Sequence, residues 1–132
     1  MTEAEHWLRE RLVENHFSNH NFMELELQEP NRAIFRLEMR KESTNSLGAL
    51  HGGAVYTLAD MATGAAACAD GRPYVTQNGS LHFIGTQDEG VVRAIAQVRH
   101  RGRTTVVVSV DVVGENDKLL ATGEFAFFCI AR

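Results

Sequence analysis

The sequence predicts an α+β domain: an antiparallel sheet wrapped around one long central helix, with a further helix at the N-terminus. Three observations carry that prediction. Six segments alternate apolar and polar residues with a period of two, the pattern of strands that bury one face. One stretch, Ala54 to Ala69, is too long and too rich in Ala, Leu and Met to be a strand. The four strand-like segments after it are joined by turns too short for crossover helices, which forces antiparallel pairing. The 132 residues form one domain, 1–132, because a chain of this length rarely divides into two cores.

At the N-terminus, Thr2 and Glu5 have the spacing of a capping box, and Ala4, Trp7, Leu8 and Leu12 recur at helical intervals. They predict an amphipathic helix of about four turns, ending near Ser18-Asn19-His20-Asn21. A hairpin comes next. Met23, Leu25 and Leu27 alternate with Glu24, Glu26 and Gln28; after a turn at Glu29-Pro30-Asn31, Ala33, Phe35, Leu37 and Met39 alternate with Ile34, Arg36 and Glu38. A polar loop, Lys41 to Ser46, leads to His51-Gly52-Gly53 and the central helix. Beyond Gly71 and Pro73 come strands at 74–84, 91–101, 103–113 and 118–130, with turns at Thr86 to Gly90, Gly102, and Gly114 to Asp117. The clearest alternation sets Val106, Val108, Val110 and Val112 against Val107, Ser109 and Asp111. A helix apolar on most sides must be covered from more than one direction, and one curved sheet covers only one, so self-association is expected.

Thirteen Lys and Arg against 17 Asp and Glu give a net charge of −4, which speaks against a nucleic-acid partner bound by neutralising phosphates. The N-terminus is acidic without an apolar core, and no later apolar run reaches the roughly 18 residues of a membrane span. The expectation is a cytoplasmic protein with no membrane partner. Cys68 and Cys129 form no C-x-x-C pair and read as two buried thiols in a reducing compartment. His6, His16 and His20 are expected to face solvent, and no His and carboxylate cluster has the spacing of metal ligands, so no metal is expected.

The chemistry concentrates where the loop becomes the helix, over Asn45-Ser46-Leu47-Gly48-Ala49-Leu50-His51-Gly52-Gly53. The first N–H groups of a helix lack intrahelical partners and point outward at its positive end, and glycines let a ligand approach them closely. Such a site suits the oxyanion of acyl transfer. The same glycines equally serve a tight loop-to-helix junction. Asp60 is the only charged residue between His51 and Asp70. It shares a helical stripe with Tyr56, Thr57, Thr63 and Gly64. That stripe could face water; on a central helix, however, a carboxylate is costly unless hydrogen-bonded or functional. Gly53 and Asp60 stand about 10.5 Å apart along one helix, too far to touch one reacting carbon. Two helices antiparallel across a two-fold axis would bring the start of one opposite the middle of the other, so the site is expected to be shared between chains.

The run Asn45-x-x-Gly48-x-x-His51-Gly52-Gly53, followed by Leu58-Ala59-Asp60 and a small-residue helix, resembles the signature of the hotdog-fold acyl-CoA thioesterases of the phenylacetic-acid-degradation (PaaI-like) group. The resemblance covers nearly the whole chain, including His100-Arg101-Gly102-Arg103-Thr104. It implies the hotdog fold and hydrolysis of an acyl-CoA, with aryl or phenylacetyl groups among the candidates, to free acid and CoA. No cofactor is implied, since coenzyme A is part of the substrate. By this resemblance Asp60 is the catalytic carboxylate, acting as general base on water or as nucleophile through an acyl-enzyme anhydride. Gly53, with Gly52 beside it, matches the backbone donor to the thioester oxygen. Asn45 matches a polar side chain that positions the carbonyl or the water, and His51 a residue orienting the loop. Thr76 falls where relatives carry a Ser or Thr that holds the lytic water.

Arg99, Arg101 and Arg103 surround the Gly102 turn. They read either as a solvated hairpin tip or as a handle for phosphates; the resemblance points Arg101, Gly102 and Arg103 at coenzyme A. The expected assembly is a dimer extended to a dimer of dimers, a homotetramer. Two rival readings are a non-catalytic acyl-CoA binding or sensor protein and a hotdog hydratase or dehydratase. The first gives Asp60 no task; the second wants a His and acid pair on the active helix, whereas His51 lies at its mouth. Gly64, Ala65 and Ala66 leave room near the helix for an acyl group.

Overall fold

The computed structural model describes residues 3, 6, 10, 11 and 14–130. The capping and apolar positions of the expected N-terminal helix, Thr2, Ala4, Glu5, Trp7, Leu8 and Leu12, lie outside the described residues. After these positions the chain forms a short helix, α1 (His16–His20), set off by Asn15. Asn15 has extended backbone (φ −65°, ψ 106°), and its side-chain oxygen accepts from the Ser18 N–H at 3.0 Å. This new N-cap interrupts the expected single helix before Ser18, since a capping residue cannot itself be helical.

The remaining elements are β1 (Met23–Glu29), β2 (Arg32–Glu38), α2 (Gly52–Ala67), β3 (Tyr74–Phe83), β4 (Val91–Arg101), β5 (Thr105–Val113) and β6 (Leu119–Cys129). All six strands join one sheet in the order β1-β2-β4-β5-β6-β3, and every pairing is antiparallel. The β1–β2 turn carries Pro30 followed by Asn31 at φ +63°, the residue types that a tight turn with a left-handed third position selects. α2 ends at Ala67, and Cys68–Asp70 tighten into a 3₁₀ turn closed by Gly71 at φ +87°. No helix among the described residues is long and apolar enough to cross a membrane.

α2 packs across β2, β4 and β5. Its contact face is almost all alanine: Ala59, Ala62, Ala65, Ala66 and Ala67 are fully buried with Leu58. These small side chains let the helix lie close to the sheet, where Phe35, Val92, Val108 and Phe125 fill the interior. The helix is not covered all round: Gly53 and Tyr56 are exposed, and Thr57, Asp60, Met61 and Gly64 are half-buried. Thr63 does not share this open stripe. It is fully buried and donates its hydroxyl to Ala59 O and Asp60 O.

Two bulges turn side chains toward the helix. One between Leu25 and Leu27 sets Gln28 opposite Ala33, so Gln28 faces inward, against its place in the sequence alternation, and donates to Ala65 O at 2.9 Å. The other, between Thr76 and Asn78, lets Thr76 (opposite Phe127) and Gly79 (opposite Phe125) both face α2. Cys68 and Cys129 are free and buried.

Candidate active site

The helix start is built from the loop before it. Asn45 Oδ1 accepts from the Leu47 N–H at 2.9 Å and the Ala49 N–H at 3.1 Å, while Gly48 N–H donates to Asn45 O. Gly48 turns this loop at φ +81°, a backbone region open to glycine at little cost. Because two N–H groups occupy the Asn45 oxygen, its amide nitrogen is the end left to address a ligand, as a donor. His51 is the N-cap of α2, and its Nδ1 accepts from the Gly53 N–H at 2.8 Å. That bond uses Nδ1 as the acceptor and leaves Nε2 as the other polar atom of the ring. It also means that the Gly53 N–H, expected to face a ligand, is held by a side chain which an incoming oxyanion has to displace. No partner among the described residues takes the Gly52 N–H.

Asp60 lies two turns further on. Its Oδ1 accepts from the Thr76 hydroxyl at 2.7 Å. Burial pushes the Asp60 carboxyl above the usual carboxylate range, and the Thr76 hydrogen bond opposes this in part. Asp60 and Thr76 line an open pocket of about 290 Å³ together with Met61, Gly64, Cys68 and Phe127. Next to this, the Tyr56 hydroxyl donates to Gly79 O at 3.2 Å and its ring lies 5.1 Å from that of Phe125. A Cβ at Gly79 would overlap both of these side chains, so the sheet approaches the helix here only through glycine.

The structure thus brings Asp60 and Thr76 together, and separately Asn45, His51, Gly52 and Gly53; within one chain the first pair lies at the middle of α2 and the second group at its start. The arginine segment is elsewhere. Arg101 closes the far end of the helix: its guanidinium donates to Ala66 O, Ala67 O, Asp70 Oδ2 and Asn31 Oδ1 at 2.8–3.0 Å. These orphan helix carbonyls account for Arg101 without a ligand. Arg99 donates to the Ser109 hydroxyl. Gly102 N–H pairs with Thr105 O, its carbonyl accepts from Arg72, and Arg103 is exposed. The cluster of Asp70, Arg72 and Tyr74 around Arg101 was not legible as a unit in the sequence, because it gathers from a turn, a strand start and a distant hairpin. The cavity walls were equally hidden apart from Gly64; Ala65 and Ala66, grouped with it by sequence, face the sheet instead.

A sheet wound on one helix, with a carboxylate at mid-helix and a glycine-rich helix start, defines the hotdog class. The fold match is close: the PaaI protein from the phenylacetic acid degradation operon of E. coli superposes with a TM-score of 0.89 over 97% of this chain and 94% of that one, at 22% identity. PA5202 from Pseudomonas aeruginosa superposes with a TM-score of 0.86, at 29% identity, over 91% of this chain and 98% of that one. The chain belongs to the thioesterase superfamily, whose family model matches residues 47–121, and is a thioester hydrolase by that membership. Among its relatives, acyl-coenzyme A thioesterase 13 of Homo sapiens is 33% identical over 98 residues, covering 71% of this chain and 70% of that protein. Acyl-coenzyme A thioesterase PaaI of Escherichia coli is 29% identical over 90 residues, 67% of this chain and 64% of that one.

Proposed function

We propose that this protein hydrolyses an acyl-CoA, with Asp60 of one chain and the α2 start of a second chain forming each site. The observation that carries the reading is the 2.7 Å bond from Thr76 to Asp60 in the lining of an open pocket. In the general-base form, Asp60 takes a proton from a water molecule whose oxygen adds to the thioester carbon. Thr76, donating to Asp60, keeps lone pairs to accept from that water. Negative charge gathers on the carbonyl oxygen at the helix N-terminus, where Gly53 N–H, the Asn45 amide and the helix dipole stabilise it. The C–S bond then breaks, and the CoA thiolate recovers the proton from Asp60. Burial that raises the Asp60 carboxyl makes it a better base than an exposed aspartate.

Sharing the site needs a second copy, and two features support one. The β3 edge, Tyr74–Phe83, contains no Lys, Arg, Asp, Glu or Pro and exposes Val75 and Phe83 at 47% and 56%; the opposite edge, β1, carries three glutamates. Charged edges resist pairing and uncharged ones invite it. The open stripe of α2 adjoins β3, so antiparallel β3–β3 pairing about a two-fold axis covers both at once; a dimer of dimers extends this unit. Arg103 is left as the hairpin's cation for the CoA phosphates, in a reducing, cytoplasmic setting that keeps Cys68 and Cys129 as thiols.

Thiol release from acetyl-, phenylacetyl- and palmitoyl-CoA tests the reading. Turnover of at least one by the native protein, lost in Asp60→Asn, is the expected result; binding without turnover would make the protein an acyl-CoA sensor. Single turnover in ¹⁸O-water separates the two chemistries, since label in the Asp60 carboxylate marks a nucleophile and an anhydride.

A further inference from the structure

We propose that Tyr56 is a positioning residue for the reaction: its hydroxyl clamps the edge strand β3 to α2 so that Thr76 meets Asp60. The consequence for turnover rests on the proposed hydrolysis, whereas the geometry does not. β3 stands at the end of the sheet and pairs with β6 alone among the described strands. It is irregular at the residue that matters. From Thr76 to Gly79 the strand takes three residue steps while β6 takes two, from Phe127 to Phe125. Such a bulge leaves one residue out of the ladder and lets the strand bend, so the ladder fixes Thr76 less firmly than it fixes a residue inside a regular pair.

Two side-chain bonds tie the strand down on either side of the bulge. Thr76 donates to Asp60 Oδ1 at 2.7 Å, and Tyr56 donates to Gly79 O at 3.2 Å. Both meet one stripe of α2, because Tyr56 and Asp60 stand at i and i+4 on the helix. A slide of the strand along the helix breaks both bonds together. The proposed chemistry needs that restraint: Thr76 has to donate to Asp60 and accept from a water molecule at once, and such geometry is kept by the contacts that support it.

The Tyr56 end is shaped for close approach. Its ring packs 5.1 Å from that of Phe125, which is fully buried and lies opposite Gly79. A Cβ at position 79 would lie 2.7 Å from the Tyr56 hydroxyl and overlap the Phe125 ring. Glycine weakens the interior of a strand; here it is what lets a side-chain hydroxyl reach the strand backbone. Tyr56 is 38% exposed, so water would satisfy its hydroxyl equally well. The bond to Gly79 O therefore serves the strand rather than the tyrosine.

The test is Tyr56→Phe in the full chain, which keeps the ring against Phe125 and removes only the hydroxyl. At neutral pH kcat should fall about threefold with KM unchanged, and the acid limb of kcat/KM should move to higher pH, the direction expected of Thr76→Val. A second readout needs no turnover. Burial raises the Asp60 pKa and the Thr76 bond lowers it, so the Asp60 carboxyl, followed by ¹³C NMR and assigned by the loss of its resonance in Asp60→Asn, should titrate higher in Tyr56→Phe and higher again in Thr76→Val. On the Thr76→Val background, Tyr56→Phe should change neither kcat nor the Asp60 titration further, because Tyr56 acts through Thr76. An Asp60 titration unmoved by Tyr56→Phe overturns the proposal, and so does an effect of Tyr56→Phe that persists on the Thr76→Val background, which would make Tyr56 act on Asp60 or the substrate directly. If no acyl-CoA is turned over while the Asp60 titration shifts as expected, the hydrolytic reading fails and the clamp stands.

Discussion

Asp60 and Asp70 sit ten residues apart on one helical run, and their surroundings are opposite. Asp70 accepts from the Tyr74 hydroxyl at 2.6 Å, from the Arg72 Nε and backbone N–H at 3.0 Å each, and from Arg101 at 2.8 Å. Burial alone would raise it, but these donors outweigh burial and hold it below the usual carboxylate range. Asp60 has one side-chain donor among the described residues, Thr76, and burial wins, so it is raised. A carboxylate has about four acceptor positions. Asp70 has spent them on holding the helix end to the hairpin; Asp60 leaves most of them without a partner among the described residues. Full satisfaction marks structure and incomplete satisfaction marks chemistry, and the two aspartates are separable by experiment.

The largest separation comes from isosteric amides. Asp60→Asn should lower kcat at least 100-fold, as for loss of a general base, with no loss of thermal stability, because burial already penalises its charge. Asp70→Asn should do the reverse: urea unfolding should show a loss of about 2 kcal/mol, the scale of hydrogen bonds to a charged group, while kcat per folded chain stays within a few-fold of the native value.

Acidity sharpens the contrast. In the proposed role Asp60 is a base and acts ionised, so kcat/KM is expected to fall as pH drops through its raised pKa, and the acid limb should lie above the range of ordinary aspartates. Thr76→Val removes the one bond that lowers that pKa, so the limb should move to still higher pH, with kcat down about tenfold at neutral pH. Stability runs the other way for Asp70. Its depressed pKa contributes stability that is present above the unfolded-state value and is lost as pH falls through the folded one. Thermal unfolding across the acid range should therefore show a loss in the native protein that Asp70→Asn lacks. The smallest effect concerns the arginines. Arg103→Ala should raise KM for an acyl-CoA about threefold, as for one exposed charge, with an unchanged melting temperature, whereas Arg101→Ala should lower the melting temperature by uncapping α2.

How much of this was written locally in the chain obeys the same division. Period-two alternation located all six strands, and the length of Ala54 to Ala69 located the helix, because those signals depend only on neighbours in sequence. Gln28 escaped because a bulge reverses the faces of a strand without altering its composition. The break at Asn15 escaped because Asn15 lies within an otherwise helical run, and Thr63 because a wheel cannot tell which side of a helix the sheet will take. Asp60 stood out as a lone charge in an alanine helix. The commitment of Arg101 to Ala66 and Ala67 did not, since a guanidinium at a hairpin tip is written identically whether it meets a phosphate or a helix end.

The central claim is that one chain holds half a site, with Asp60 acting on a thioester held by another chain's helix start. Complementation tests it most directly. Asn45→Asp keeps the acceptor that holds Leu47 and Ala49 but replaces the ligand-facing amide with a carboxylate that repels an oxyanion, and Asp60→Asn removes the base. Each variant alone should retain about 1% of native turnover or less. Unfolded together and refolded as mixed assemblies, they should recover about a quarter of the native rate per chain, because half of the pairs would hold one intact site of two. Mixed assemblies no more active than the average of their parents would place the whole site within one chain and contradict the account.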